Sequence, residues 1–423
     1  MVKLKIRILY SFLLLFLLPA LCFANEAEIK GLLKSLTTID SYGASSIMGM
    51  VGDESSMFEE RVVGRIMVKS EISDEIKFHI HYENSFSKGE YLSAVEALHG
   101  RTANINLLTR NPPKDSTQFF SLTQEYVDDS GEEAYHRLDR LYVEYSDVDY
   151  NIRFGRQALT WGGGKVFNPI DIMNPFAPTD VVRDYKNGSD MVTLQAYTEL
   201  VSDLQIAIVP RRNVRTSELE YDESSASMKL RNSYGDTDAE IVFGSHYGEA
   251  FVGGGVAGIL SDAVVRSDFI LSDGENRRYF SAVANIDYSW LTFDNNTYGY
   301  FELYYNNLGV NSIDEVSRDE ELLQKLTRGD FYMRDRYYMA TGFQYEAHPL
   351  INLYTSIIFN IKDYSYILQP RLEWNFRSNM RILLGVDLPE GNLGSEFGGF
   401  TDASTGRVIA PAKKVYGQVT IYF

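Results

Sequence analysis

The chain has 423 residues and a formal net charge of −18, from 58 acidic and 40 basic side chains. So acidic a chain does not favour nucleic-acid binding, because its field repels phosphate groups. Beyond the N-terminus no apolar run is long enough to cross a bilayer as a helix, yet the chain contains 29 tyrosines and 24 phenylalanines. This composition is typical of a membrane β-barrel, in which only alternate residues meet lipid.

The N-terminus has the pattern of a secretory signal peptide. Three basic residues come first, Lys3, Lys5 and Arg7. An apolar run over residues 8–21 follows, and the small residues Cys22 and Ala24 precede a cut ahead of Asn25. The pattern predicts a signal peptide over residues 1–24, with a retained membrane anchor as the alternative. Because Cys22 is the only cysteine, the mature chain is expected to form no disulfide.

Residues 25–41 are predicted to form a short periplasmic segment before the barrel. Four leucine and isoleucine side chains there have helical spacing, which predicts a short N-terminal helix: Ile29, Leu32, Leu33 and Leu36. The barrel is then predicted over residues 42–423, with Tyr42–Val51 as its first strand.

From residue 61 onward the chain divides into segments in which apolar and polar side chains alternate. Examples are the windows 61–72, 76–83, 351–361 and 364–376. Seventeen clear strands, together with Tyr42–Val51, predict an all-β fold: a transmembrane antiparallel up-and-down β-barrel of about 18 strands, with 16 as the next count. The strands are separated by alternating short and long links, as periplasmic turns and extracellular loops are.

The last residues carry a further signal. Val415, Gly417, Val419, Ile421 and Phe423 share one face of a strand that ends on an aromatic side chain. This ending resembles the C-terminal signature of Gram-negative outer-membrane barrels. The resemblance implies a place in the cell outer membrane, with lipid, lipopolysaccharide and the barrel-assembly machinery as partners, and with Phe423 as the assembly signal.

Alternation also predicts which charged side chains face the lumen. The pore-lining candidates are Arg65, Lys69, Lys77, Arg140, Glu144, Arg153, Arg156, Arg334, Arg336, Arg371 and Glu373. Two interpretations remain open. The charges pair across neighbouring strands and only solvate the interior, or the basic ones form a stripe that draws anions through.

The most distinctive segment is Phe154–Gly164, which contains Gly-Arg-Gln followed by Trp-Gly and leads into a loop rich in Asn, Pro and Asp. It resembles uncharacterised Gram-negative barrel families and, more loosely, alginate-export-like porins. Strict alternation would point Arg156 at lipid, which costs about 2–4 kcal/mol at mid-depth. A bulge at Gly155 that turns Arg156 inward is therefore predicted, with a position at the headgroup rim as the alternative.

The loop over residues 161–188 either folds into the lumen or lies on the surface, and the sequence leaves both open. Its prolines stiffen it. If it narrows the lumen, the constriction candidates are Asp171, Asp180, Arg183, Asp184 and Lys186.

No catalytic or metal-binding pattern is evident. Ser245 and His246 are adjacent on a strand and so point to opposite faces, and His79 and His81 lack a third ligand at a recognisable spacing. The sequence predicts no enzyme, no cofactor and no metal site. It predicts a porin-like channel for small hydrophilic solutes, with anions as a further option. An outer-membrane hydrolase and a structural or adhesive barrel that uses residues 87–131 are the alternatives.

Overall fold

A computed structural model describes residues 26–51, 56–98, 113–316 and 318–423. These form one antiparallel sheet that closes on itself, since the first strand pairs with both the second and the last. Within this part of the chain no helix is both long and apolar enough to cross a membrane. The predicted signal peptide over residues 1–24 lies outside the described residues.

The closed wall contains eighteen strands, which confirms the predicted barrel and its strand number. In chain order the strands are β1 (Glu26–Ser41), β2 (Ser56–Glu71), β3 (Ile76–Gly89), β4 (Thr123–Asp129), β5 (Glu132–Ser146), β6 (Tyr150–Gln157), β7 (Ser189–Ala196), β8 (Asp203–Val209), β9 (Ser225–Tyr234), β10 (Thr237–His246), β11 (Glu249–Leu260), β12 (Ala263–Asp273), β13 (Arg278–Thr292), β14 (Asn295–Asn306), β15 (Tyr337–His348), β16 (Ile351–Asn360), β17 (Tyr366–Arg377), β18 (Met380–Glu390), β19 (Phe400–Thr401), β20 (Val408–Ile409) and β21 (Lys413–Tyr422). All but β4, β19 and β20 belong to the closed wall.

Short helical elements lie between the strands. They are α1 (Glu90–Leu98), α2 (Ile313–Val316) and α3 (Glu320–Arg328), with 3₁₀ turns at Ile47–Met50 and Tyr221–Glu223. The links at the end of the barrel that holds β1's start and β21's end are two to six residues long. The long links all lie at the opposite end. We call these the turn end and the loop end, which correspond to the predicted periplasmic and extracellular sides.

The first strand differs from the prediction. Residues 26–41 form β1 and not a helix, while residues 42–51 lie in a link that contains a 3₁₀ turn. Ile29, Leu33 and Ile39 are exposed on the outer face of β1, whereas Leu32 is buried inside with the polar residues of that face. Because inward-facing leucines interrupt the alternation of apolar and polar residues on β1, its apolar residues have the spacing of a helical face. The predicted short N-terminal helix and the first strand at Tyr42–Val51 are therefore both wrong.

Alternation sets the two faces of the wall. On β12, Phe269 and Leu271 are exposed on the outside, whereas Asp268, Ile270 and Ser272 are buried on the inside. Exposed apolar side chains form the outer surface that lipid requires, and polar ones line the interior.

The wall is low at β6, β7 and β8, which have only seven or eight residues each. β6 pairs with β5 only as far as Leu141, and residues 132–137 of β5 would be left with one unpaired edge. β4 occupies that edge, because its residues 123–129 pair with the same stretch of β5. The wall above β6 is thus extended by a strand from the link between β3 and β5, which pairs the otherwise free edge of β5.

Candidate pore constriction

Residues 158–188, which join β6 to β7, run through the lumen and contact strands on several sides of it. We call them the inserted segment. Its strongest anchor is Glu302, a buried carboxylate on the inner face of β14. Glu302 accepts backbone N–H groups from Lys165, Val166 and Phe167 at 2.6, 3.0 and 2.7 Å. Three donors on one carboxylate fix this turn of the segment against the wall.

Further polar contacts hold the adjacent residues. The backbone N–H of Gly163 donates to Asp268 Oδ2 at 2.6 Å, and Asn285 Nδ2 donates to the Gly163 carbonyl at 3.1 Å. The indole N–H of Trp161 donates to Gln205 Oε1 at 2.7 Å. The segment is therefore tied to β8, β12 and β13 as well as to β14.

Apolar packing supports the same placement. The Phe167 ring stacks on Tyr304, with centroids 4.5 Å apart and planes 6° from parallel. Trp161 and Ile170 pack with buried side chains of the wall, among them Phe251 and Ile270. The first half of the segment thus fills the lumen beside β8–β14.

The second half of the segment spans toward the turn end. Asp184 forms ion pairs with Lys34 on β1 and, at 2.7 Å, with Arg381 on β18, and these two strands flank β21. Burial alone would raise the pKa of Asp184, but the charges and hydrogen bonds of Lys34 and Arg381 hold that pKa below its ordinary value. A carboxylate of the inserted segment therefore bridges the seam where the barrel closes.

Arg65 and Arg140 belong to a buried network that meets the same segment. The guanidinium of Arg65 binds Glu83 at 3.0 Å and Asp139 at 2.5 Å, and lies 4.3 Å from the centroid of the Tyr185 ring. Arg140 binds Asp139 at 2.7 Å and donates to the carbonyl of Lys186 at 2.7 Å. A register shift between β3 and β5 brings Asp139 to the inside next to Arg140.

Several other candidates form ion pairs near the turn end. Lys69 and Lys77 both bind Glu71, at 3.2 and 3.3 Å. Arg153 binds Glu144 at 2.7 Å, and Arg381 lies 3.9 Å from Glu373. For these residues the geometry agrees with the first interpretation, in which the charges of the lumen pair with one another.

Arg334 and Arg336 lie in the link before β15 and not on a wall strand. Arg334 pairs with Asp363 at 3.2 Å and with Glu396 at 3.4 Å, which ties three loop-end links together. Arg336 donates to the carbonyl of Gly309 at 2.6 Å. Both arginines organise loops, which strand alternation could not have shown.

Arg156 also differs from its predicted position. β6 pairs with β5 and β7 without a register shift, so no bulge turns Arg156 inward. It lies on the same face as Phe154, whose side chain is exposed on the outside of the wall. Arg156 is nevertheless buried, because residues 115–122 cover it. We call these residues the rim segment.

The remaining constriction candidates pair within the inserted segment. Lys186 forms an ion pair with Asp171 and donates to the carbonyl of Leu159 at 2.5 Å. Asp180 pairs with Arg183 at 3.0 Å, and the Arg183 side chain is 45% exposed. Of the five constriction candidates, Asp180 and Arg183 border the larger open space beside the segment.

That open space is a cavity of about 410 Å³ between the inserted segment and the inner face of β14–β17. Its polar and aromatic lining includes Lys165, Asp180, Arg183, Tyr298, Tyr300, Tyr354 and Arg371. The guanidinium of Arg371 lies 4.7 Å from the centroid of the Tyr354 ring. Among the residues that the structure describes, no carboxylate lies within ion-pair distance of Arg371.

Four of the seven lining residues named above were not among the predicted candidates: Lys165, Tyr298, Tyr300 and Tyr354. The alternation of β14 was a usable signal, since it places Tyr298 and Tyr300 on the same face as Glu302. No sequence signal marked Lys165, which comes from the inserted segment and pairs with Asp287 at 3.1 Å.

The histidines have structural partners. His79 stacks on Tyr142 with centroids 4.4 Å apart, and His81 Nδ1 lies 3.1 Å from Arg65. In the described part of the chain no group of three or more His, Cys, Asp or Glu side chains has metal-site geometry.

One arrangement has the composition of a catalytic triad. His246 Nδ1 lies 2.9 Å from Ser225 Oγ, and its Nε2 lies 3.4 Å from Asp330 Oδ1. However, Ser225 is 3% exposed, and its Oγ accepts a guanidinium N–H from Arg211 at 2.6 Å. A nucleophile needs access to substrate, which the buried Ser225 lacks, and its hydroxyl is already held by Arg211 as well as by His246.

The closed wall and its inserted segment define a large transmembrane β-barrel with part of the chain folded into its lumen. Solved structures share this fold. OccAB4 of Acinetobacter baumannii has a TM-score of 0.55 at 9% identity, over 95% of this chain and 98% of that one. OccK5 (OpdH) of Pseudomonas aeruginosa has a TM-score of 0.54 at 9% identity, over 95% and 98%.

A BenF-like porin from Pseudomonas fluorescens Pf-5 has a TM-score of 0.52 at 8% identity, over 95% of this chain and 99% of that one. At such low identities these likenesses show the fold alone. No protein-family model and no curated protein sequence matches the chain. The resemblance to alginate-export-like porins and to barrels with the Gly-Arg-Gln and Trp-Gly segment stays a prediction.

Proposed function

We propose that the protein is an outer-membrane channel through which small hydrophilic solutes diffuse, with a preference for anions. The observation that carries the proposal is Arg371, which faces an open cavity beside the inserted segment without a described carboxylate partner. A cavity of about 410 Å³ is of the size that holds a small molecule. The solute path therefore runs off-centre, between the inserted segment and β14–β17.

The preference for anions follows from which charged side chains of the lumen have partners and which do not. Glu302 and Asp268 bind backbone N–H groups of the inserted segment and do not line the cavity, and Asp184 is paired with Lys34 and Arg381. The cavity itself contains three basic groups, of which Lys165 and Arg183 each pair with one carboxylate. Arg371 is the charge left over, and an unpaired guanidinium in a pore attracts anions.

The tyrosines contribute to the same path. Tyr298, Tyr300 and Tyr354 present rings to the cavity, and Tyr354 lies beside Arg371. A phenol offers both an apolar face and a hydroxyl that donates and accepts hydrogen bonds. We infer that the path accepts hydrophilic solutes that carry one anionic group and a small organic body.

Outer-membrane lipid and lipopolysaccharide, and the barrel-assembly machinery, are the proposed partners. The exposed apolar outer face supports the first, and the terminal Phe423, 73% exposed beside β1, supports the last. An enzymatic role has less support, because Ser225, the serine of the triad-like arrangement, is buried away from any substrate. Of the described residues within 87–131, those of β4 pair with β5 and those of the rim segment bind Arg156, so they give an adhesive role no separate support.

Liposome swelling with the purified, folded barrel tests the proposal. Vesicles should swell faster in a small organic anion than in a neutral solute of equal size, because Arg371 and its neighbours favour the anion. Vesicles that swell no faster than protein-free ones in either solute would contradict the channel function. Equal rates for the two solutes would contradict only the anion preference.

A further inference from the structure

Arg156 lies at a position that flanks the inserted segment without entering the lumen. It precedes the segment's first residue by two positions, and Asp190 follows its last residue by two. The two side chains form a bidentate ion pair, in which Nε donates to Oδ1 at 2.8 Å and Nη2 donates to Oδ2 at 3.0 Å. This pair therefore joins the point where the chain leaves the wall to the point where it returns.

The same guanidinium also holds the rim segment. Nη1 donates to Asp115 Oδ1 at 2.8 Å, and Nη2 donates to the carbonyl of Phe120 at 2.8 Å. Asp190 completes the contact, since it accepts the backbone N–H of Phe120 at 2.6 Å and its own N–H donates to Gln118. The rim segment and the base of the inserted segment thus meet at Arg156.

Burial makes the contact selective for arginine. The side chains of Arg156 and Asp190 are 4% and 2% exposed, so neither charge is solvated by water. The planar guanidinium reaches two carboxylates and a carbonyl at once, which the single ammonium of lysine cannot do. Without Arg156, two carboxylates would remain buried side by side with no cation between them.

The stem of Arg156 lies close to the end of the inserted segment. A Cβ placed on Gly188, the last residue of the segment, would lie 2.4 Å from the Asp139 carbonyl oxygen and 2.8 Å from Cγ of Arg156. Gly188 therefore lets the backbone of the returning chain pass close to the arginine.

We propose that Arg156 is a positioning residue that fixes the base of the inserted segment from the outer face of the wall. It contacts neither the cavity nor a solute. Its effect on conduction rests on the proposed channel function, whereas its effect on the segment's mobility does not.

A single spin label on the segment tests the proposal without any current. Apart from Cys22 in the predicted signal peptide the chain has no cysteine, so Thr160→Cys gives one labelling site. Thr160 is exposed and lies in the inserted segment three residues beyond β6. Arg156→Ala should convert most of an immobile spectrum at this site to a mobile one, and Arg156→Lys should give an intermediate spectrum.

Two controls separate positioning from general loosening. Arg334→Ala removes another buried arginine held by two carboxylates, but one that ties loop-end links together, and it should leave the label at residue 160 immobile. A label at Asp236→Cys, in the turn between β9 and β10, should not respond to Arg156→Ala. An equal response to Arg156→Ala and Arg334→Ala would overturn the proposal, as would an immobile label in a folded Arg156→Ala barrel.

If Arg156→Ala yields no folded barrel, Arg156→Lys and Asp190→Asn decide instead. Increased mobility at residue 160 in both supports the proposal, and an immobile label in both overturns it.

In planar bilayers, the same variants should show open-channel current noise several-fold above that of the unmodified protein. A silent unmodified protein with a label that still responds would defeat the channel function and leave the positioning role intact.

Discussion

Gly31 and Phe423 close the barrel at the turn end. The Gly31 N–H donates to the Phe423 carbonyl at 2.6 Å, and the Phe423 N–H donates to the Gly31 carbonyl at 3.0 Å. The ring of Phe423 lies over Gly31, where an added Cβ would come within 2.2 Å of it. The final aromatic ring therefore lies directly over the first strand, at a position where Gly31 leaves room for it.

Gly31→Val is expected to reduce the folded fraction of the barrel several-fold, because the Phe423 ring must leave its place on β1. Heat-modifiable migration of outer-membrane fractions measures this. Gly64→Val is the matched control, since Gly64 is paired to β1 on the neighbouring strand and an added Cβ there meets nothing within 4 Å. Equal losses in both variants would contradict the role of the Gly31–Phe423 contact.

Removing Phe423 should lower the amount of barrel in the outer membrane while leaving the channels that do assemble unchanged. The reason is that Phe423 is remote from the cavity and 73% exposed beside β1. Quantitative blotting of membrane fractions, together with conductance of the purified remainder, measures the two effects separately. Normal membrane levels of the shortened chain would count against Phe423 as an assembly signal.

Glu302→Gln should loosen the inserted segment. The carboxylate accepts three backbone N–H groups through its two oxygens. The amide of glutamine has one oxygen and an NH2 group that cannot accept an N–H, so at least one backbone donor loses its partner, a loss of about 1–3 kcal/mol of local stability. We expect larger and noisier single-channel conductance. Glu390→Gln, in an exposed ion pair with Lys413, is the control and should conduct as the unmodified protein does.

Asp184→Asn should lower the thermal stability of the barrel at neutral pH. Because Lys34 and Arg381 hold the pKa of Asp184 below its ordinary value, the ion pairs stabilise the fold above that ordinary value. This contribution is lost as the pH falls through the lowered pKa of the folded state. The difference in melting temperature between the two proteins should therefore shrink in acid, and a difference that does not change with pH would contradict the account.

The sequence predicted the strands that meet lipid on one side and water on the other, since both solvents impose a period of two. It failed at β1, where Leu32 faces inward among polar residues. For Arg156, alternation gave the correct outer face. The bulge was predicted because an outward-facing arginine was expected to meet lipid, at a cost in free energy. The rim segment, some forty residues earlier, instead covers Arg156 and supplies a carboxylate and a carbonyl that bind its guanidinium.

The cavity was predictable only in part. The sequence named Arg371 and Arg183 among its candidates, because alternation and the loop composition mark them. It could not show that Glu302 and Asp268 bind the backbone of the inserted segment and so leave Arg371 without a carboxylate. That division of charges depends on where residues 158–188 lie, which no local pattern encodes.

The reversal potential of the purified barrel in a planar bilayer, under a salt gradient, tests the central claim most directly. We expect discrete open-channel steps and a reversal potential that reports anion preference, and Arg371→Glu should abolish or reverse that preference. Arg377→Glu, an exposed position near the turn end of the same strand, should keep the preference. A folded barrel that never conducts, or one that prefers cations with Arg371 in place, would contradict the account.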